Sequence, residues 1–147
     1  IVEMDANYFR ESWESGCFGG FLFAKEVIKT FLLEKTAGTL IFTGASASLR
    51  GKSNFGAFNS AKGALRNLAQ ALAKEYAENS IHISHVIVDG GLAGERIKQR
   101  LSDFEERVKE GKLINIENVT DAYMFLYNQS KDAWTFELDL RTSQENW

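Results

Sequence analysis

The sequence predicts an α/β protein built on a parallel sheet, and three observations carry that prediction. Apolar residues recur at helical spacing in two long segments, short runs of strand formers separate them, and the two types alternate along the chain. Alternation of this kind implies right-handed crossovers that lay each helix across a sheet of parallel strands. Three strands are expected, which is narrow for this class, so the sheet reads as part of a wider one whose first strands lie upstream.

The elements follow in order. Residues 8–34 read as one helix, with Phe18, Phe21, Ala24, Val27, Ile28, Phe31 and Leu32 on its apolar side. Gly16, Gly19 and Gly20 each cost about 1 kcal/mol inside a helix relative to alanine. They imply either close approach of a neighbouring backbone or a delayed helix start. Thr36-Ala37-Gly38 is a stop signal, and residues 39–43 form a short strand. A loop rich in Gly, Ser and Ala covers residues 44–53. A second long helix covers 54–79, striped by Ala57, Ala61, Ala64, Leu65, Leu68, Leu72 and Tyr76. Residues 81–88 alternate at first and then become continuously apolar, as a buried parallel strand does. Asp89-Gly90-Gly91 ends that strand. Residues 95–111 read as a charged, exposed helix, and 118–129 as a further helix capped by Asn118 or Thr120. Residues 133–141 close the chain as a strand, with Trp134, Phe136, Leu138 and Leu140 on one face.

The 147 residues suit one domain, and the 44% hydrophobic content is enough for a core. A net charge of -3 argues against a nucleic-acid footprint. No apolar run is long enough for a membrane span, and no signal peptide is visible. The single Cys17 excludes an internal disulfide and fits a reducing cytoplasm, the expected location. As a nucleophile it lacks a nearby base. His82 and His85 lie three apart in a strand and so on opposite faces, which suits packing and not a metal site. The chain begins with Ile and not Met, and reads as a piece of something longer. It contains no proline, where average usage gives about seven.

The loop Thr43-Gly44-Ala45-Ser46-Ala47-Ser48 could be taken for a phosphate-binding turn. That turn needs glycines followed at once by a helix, whereas here Ser48 and Arg50 intervene and the helix starts near Asn54. The more specific pattern is Phe58-Asn59-Ser60-Ala61-Lys62, which puts an aromatic ring and an ammonium on one helix face.

A strand, a Ser-rich loop and then this F-x-x-x-K opening a long Ala/Leu-rich helix resembles the active-site segment of the short-chain dehydrogenase/reductase family, which has Y-x-x-x-K at that place. The likeness spans nearly the whole chain. Residues 8–34 resemble the helix between that family's fourth and fifth strands, 39–45 its fifth strand, and 86–92 the turn beside the nicotinamide. Residues 135–141 resemble its seventh strand. The resemblance implies the C-terminal part of a Rossmann-like doubly wound parallel sheet. Residues 1–147 would then be a single partial domain without its N-terminal nucleotide-phosphate-binding half.

It also implies an NAD or NADP cofactor, a small carbonyl or alcohol substrate, and a homo-oligomer, a dimer through the two long helices. In the family, tyrosine is the general acid/base, and lysine binds the nicotinamide ribose and lowers the tyrosine pKa. Serine donates to the substrate oxygen, and an asparagine holds a relay water. Carried over, Lys62 matches the lysine, but Phe58 stands at the tyrosine position, Ala45 at the serine, Gly16 at the asparagine and Asp89 at a proline. Thr43, Lys62, Asp89, Gly90 and Leu92 are the expected cofactor-side residues. Lys62 is either a ribose ligand or a solvated lysine. Phe58 is either a packing residue or a ring over the nicotinamide. Ser46 is either a substitute donor or a loop cap, and Asp89 either contacts the cofactor or caps its turn. The function implied is NAD(P)-dependent hydride transfer at a carbonyl or hydroxyl carbon by the full-length protein, with this chain alone inactive. The alternative is a non-catalytic scaffold or oligomerisation protein.

Overall fold

The computed structural model describes residues 1–145. Its main sheet has three parallel strands in the order β1 (Gly38–Ala45), β2 (Ile81–Asp89) and β5 (Glu137–Arg141). A second, two-stranded parallel sheet pairs β3 (Gly91–Leu92) with β4 (Leu113–Ile114). The predicted order of helices and strands holds. Two-residue strands carry no periodicity, and nothing in the sequence announced β3 and β4.

The first long helix is three pieces in one rod: α1 (Ala6–Trp13), a π-helical turn (Glu14–Phe18) and α2 (Gly19–Glu34). Its glycines report close approach and not a late start. A Cβ on Gly16 would lie 2.8 Å from the Ala61 Cβ, and one on Gly20 would lie 2.7 Å from Leu65 Cδ1. Both contacts are to α3 (Gly56–Tyr76), the second long helix, so the glycines let the two rods touch. The stop at the end of α2 is made by Lys35 in a left-handed conformation (φ 53°). Gly38 has a different task, since the Phe31 ring occupies the space its side chain would need.

The core lies between the sheet and this helix pair. Ala24, Ile28, Leu40, Phe42, Leu65, Ala69, Ile81 and Ile83 form one buried cluster. The β2 strand is buried nearly throughout, as its apolar run predicted. The β1 strand pairs with β2 alone among the described strands, so its other edge carries no ladder.

Several expected boundaries differ. The helix expected over residues 95–111 breaks into α4 (Glu95–Lys98) and α5 (Phe104–Lys109). Ser102 and Asp103 lie at the break, and their short polar side chains favour helix ends over interiors. Neither piece contains a buried residue, which agrees with an exposed segment. The next helix, α6 (Ile116–Tyr127), starts earlier than expected. Asn115 caps it by accepting from the Glu117 N–H at 2.7 Å, not Asn118 or Thr120. The closing strand starts only at Glu137. Before it, Trp134 stacks on His82 with ring centroids 4.9 Å apart, while Phe136 packs against the core cluster. His82 and the core residues Ile81 and Ile83 alternate along β2, so Trp134 and Phe136 lie on opposite sides of the sheet. The single apolar face expected for 134–140 is therefore broken at its start.

No helix among the described residues is long and apolar enough to cross a membrane. No group of three or more His, Cys, Asp or Glu gathers there to hold a metal.

Candidate active site

The C-terminal ends of the strands bring four of the sequence-predicted residues to one pocket. Ser46, Phe58, Asp89 and Gly90 line a cavity of about 240 Å³, together with Arg50 and Asn59. Open parallel sheets bind ligands in this place, where strands give way to loops. Ser46 stands in a 3-10 turn (Ser46–Ser48) directly after β1. Phe58 is in the first turn of α3 and is 43% exposed, so its ring forms pocket wall and not core.

Lys62 lies one turn further along α3. Its Nζ donates to the Thr43 carbonyl at 3.0 Å, and desolvation lowers its pKa from the ordinary lysine value. The Thr43 hydroxyl shares a 2.6 Å hydrogen bond with the Tyr123 hydroxyl of α6. Thr43 and Lys62 are thus joined to each other beside the pocket and not within its lining. Leu92 is placed in β3 against Ile114, also outside the lining.

Asp89 is nearly buried, at 4% exposure, and is doubly paired. Arg50 Nη2 and Arg141 Nη1 each approach its Oδ2 to 3.2 Å. The carboxylate is committed to these cations and binds the loop after β1 to the ends of β2 and β5. Gly90 follows with φ 148°, a conformation L side chains rarely adopt, and so turns the chain out of the sheet.

A half-buried polar chain, centred on the fully buried His85, runs beneath the loop after β1. Arg66 grips Glu137 through two bonds, Nε at 2.6 Å and Nη2 at 2.9 Å. Glu137 Oε2 lies 3.0 Å from His85 Nδ1, and His85 Nε2 lies 3.4 Å from Ser48 Oγ. Ser48 Oγ in turn accepts from the Ala45 N–H at 3.3 Å. Desolvation pushes His85 below its ordinary pKa, against the pull of Glu137, so the ring is neutral at pH 7. The Arg66 hydrogen bond holds Glu137 below the usual carboxylate range. The chain braces the Ser46-bearing loop from beneath.

His82, on the other face of β2, bonds Thr135 O and Ser84. Cys17 is buried, and desolvation raises its pKa, which keeps it a thiol. The sequence reading missed Arg50, Lys52, Phe55, Asn59 and the Arg66–Glu137–His85 chain. No signal pointed to the last, since Glu137 falls on the polar side of an alternating segment, as Thr135 and Asp139 do.

The family model for enoyl-(acyl carrier protein) reductase matches residues 1–137. The chain belongs to the short-chain dehydrogenase/reductase family. It is 30% identical over 86 residues to a 2-dehydro-3-deoxy-D-gluconate 5-dehydrogenase of Formosa agariphila, covering 58% of this chain and 32% of that enzyme. A short-chain dehydrogenase of Rhodopseudomonas palustris superposes with a TM-score of 0.74 at 36% identity, covering 96% of this chain and 55% of that one. A 4-hydroxyisoleucine dehydrogenase complexed with NADH superposes with a TM-score of 0.78 at 14% identity, covering 95% and 60%, and shows the shared fold. The chain thus spans between a third and three fifths of the length of these relatives. Its fold is the Rossmann-like parallel α/β arrangement of this family.

Proposed function

We propose that this chain forms the nicotinamide-side and substrate-side part of an NAD(P)-dependent oxidoreductase, acting between a carbonyl and a hydroxyl carbon. The observation that carries this reading is the placement of Lys62 beside Thr43, one helical turn from a pocket holding Ser46, Phe58 and Gly90. The Lys62 ammonium spends one donor on the Thr43 carbonyl, and two further donors fit the hydroxyls of a nicotinamide ribose. The relative complexed with NADH supports a nicotinamide as the group to test. When bound, it supplies the hydride.

The rest of the chemistry falls to the chain's own residues. Ser46 carries the one hydroxyl among the described residues lining the pocket and serves as donor to a substrate oxygen, in place of the family serine expected at Ala45. Phe58 shapes the wall but holds no exchangeable proton, so the proton of a reduced carbonyl comes from water or from the substrate. Asp89 is held by two arginines and acts as a brace. The isolated 147 residues are expected to give no turnover, because nothing among the described residues forms the glycine-rich turn and helix start that would cradle the pyrophosphate.

The missing phenol favours a second reading, a non-catalytic relative that keeps the fold as a scaffold. Calorimetry with NADH and NADPH on the natural polypeptide that carries this chain tests the first against the second. Binding of one of them is expected, and binding of neither rejects the oxidoreductase reading.

A dimer through the two long helices belongs to the same proposal. An apolar groove of about 430 Å³ runs between α2 and α3, lined by Phe21, Ile28, Leu32, Leu72 and Tyr76. Phe23 and Leu33 of α2 are 62% and 73% exposed. A second copy of this helix pair, related by a two-fold axis, would cover them. A reducing, cytoplasmic setting suits the buried thiol of Cys17.

A further inference from the structure

We propose that the pocket beside Phe58 recognises an oxyanion, in the first place a carboxylate, on a compact substrate with an apolar body, and that Arg50 and Lys52 are the residues that select it. This rests on the reading of the pocket as a substrate site and names the substrate class it takes.

The loop that carries the two cations is built in place. Asn59, the neighbour of Phe58 on α3, donates from Nδ2 to the Arg50 carbonyl at 2.6 Å and to the Ala47 carbonyl at 3.4 Å. Its Oδ1 accepts from the Lys52 N–H at 3.3 Å. One amide therefore clamps the backbone of both cationic residues against the start of α3. Such pre-organisation lowers the ordering cost of binding.

The cations also face the pocket with bonding capacity in hand. Arg50 reaches Asp89 through Nη2 while its side chain stays 47% exposed. A guanidinium carries five N–H donors in a planar fork, so the remaining edge can take a carboxylate. Lys52 Nζ stands 5.2 Å over the Phe55 ring, a contact that positions the ammonium and leaves its hydrogen-bonding donors for a ligand.

The pocket also holds two carboxylates, Asp89 and Glu145. Asp89 is 4% exposed and is shared with Arg141. Glu145 lies at the Gly90 wall and within the field of Arg141. Phe55 and Phe58 supply the apolar surface for the substrate body, and about 240 Å³ limits that body to a few carbon atoms.

The test is an NMR titration of the natural polypeptide carrying this chain at pH 7 with three probes: 4-methylpentanoate, its neutral amide 4-methylpentanamide, and isoamyl phosphate. The carboxylate is expected to bind about tenfold more tightly than the amide, with shifts at Ser46, Arg50 and Asn59. Arg50→Gln should remove most of that preference. Lys52→Gln should reduce it by about threefold. Lys52 touches no buried group, so this variant keeps the test available if Arg50→Gln unfolds. Tighter binding of the phosphate than of the carboxylate identifies the oxyanion as a phosphate ester. Equal binding of acid and amide, no binding of any probe, or an unchanged preference in both variants overturns the proposal. The titration contains no nicotinamide. A chain that binds NADH but ignores charge loses this inference alone, and one that selects the acid but binds no nicotinamide loses the oxidoreductase reading alone.

Discussion

A phenyl ring at position 58 keeps the shape of a tyrosine and removes its proton, so the proton-transfer share of catalysis is absent from the place where the family puts it. General acid/base groups contribute about 10²–10⁴-fold to rate. Phe58→Tyr should therefore raise NADH-dependent carbonyl reduction by about 10²-fold in the natural polypeptide carrying this chain, since the new hydroxyl would stand one turn from Lys62 at the pocket wall. An unchanged rate in that variant would show that position 58 does not face the reacting carbon. His85 gives a second test. Burial holds its pKa below the ordinary 6.5, so the unfolded chain takes up a proton that the folded chain excludes. Its contribution is fully present above 6.5 and is lost as pH falls below that value. Glu137, held low by Arg66, adds a loss of the same sign as pH falls below its ordinary 4.5. Thermal unfolding should show a falling Tm between pH 7.5 and 5.5, and His85→Gln should flatten the curve in that window. A wild-type Tm constant across the window would contradict the burial argument. At this scale local spacing singled out Phe58 and Lys62 and the family resemblance Ser46, and the structure puts Ser46 and Phe58 in one pocket with Lys62 one turn beyond it. The sequence hid Asp89's two arginines and the Arg66–Glu137–His85 chain, whose partners lie 39, 52 and 71 positions apart or at strand ends.

The long helix pair shows how one element limits the chemistry of another. Gly16 is the position expected to match the family's asparagine, and the π-helical turn there presses against α3, with Ala61 2.8 Å from any Cβ that position 16 would carry. Restoring the asparagine alone forces the rods apart. Gly16→Asn should lose about 1–3 kcal/mol in chemical denaturation, and Ala61→Gly added to it should recover part of that loss. Additive losses in the double variant would mean that the two positions do not meet. Element existence was legible because the apolar stripes are long and regular. Element ends were not. Lys35 stops α2 through backbone geometry that any composition rule would assign to glycine, and Asn115 outcompetes Asn118 as a cap because only its side chain reaches an N–H one turn ahead of the apolar stripe. The split between α4 and α5 rests on two weak helix formers in a charged segment with no buried face to hold it straight.

For the molecule as a whole, one side of the sheet is packed by α2 and α3, and the pocket opens at the strands' C-terminal ends. The outer groove of that helix pair calls for a partner. Light scattering at micromolar concentration should give a mass near twice 16.5 kDa for this chain, and Leu32→Glu should return it to the monomer value. A wild-type monomer would remove the dimer from the account. Fold class was readable from alternation, because crossover topology leaves few arrangements, whereas the strand order β1-β2-β5 was not among the expectations. The pocket was half readable: its wall residues lie next to the motif, while its cations sit in a loop with no periodic signal.

The central claim is that Lys62 faces a nicotinamide ribose. It is tested most directly by titrating NADH and NADPH into the natural polypeptide carrying this chain and into its Lys62→Met variant. The account predicts binding of one cofactor by the wild type and a loss of about tenfold or more in the variant. Equal affinity in the two proteins, or no binding to either, would contradict it.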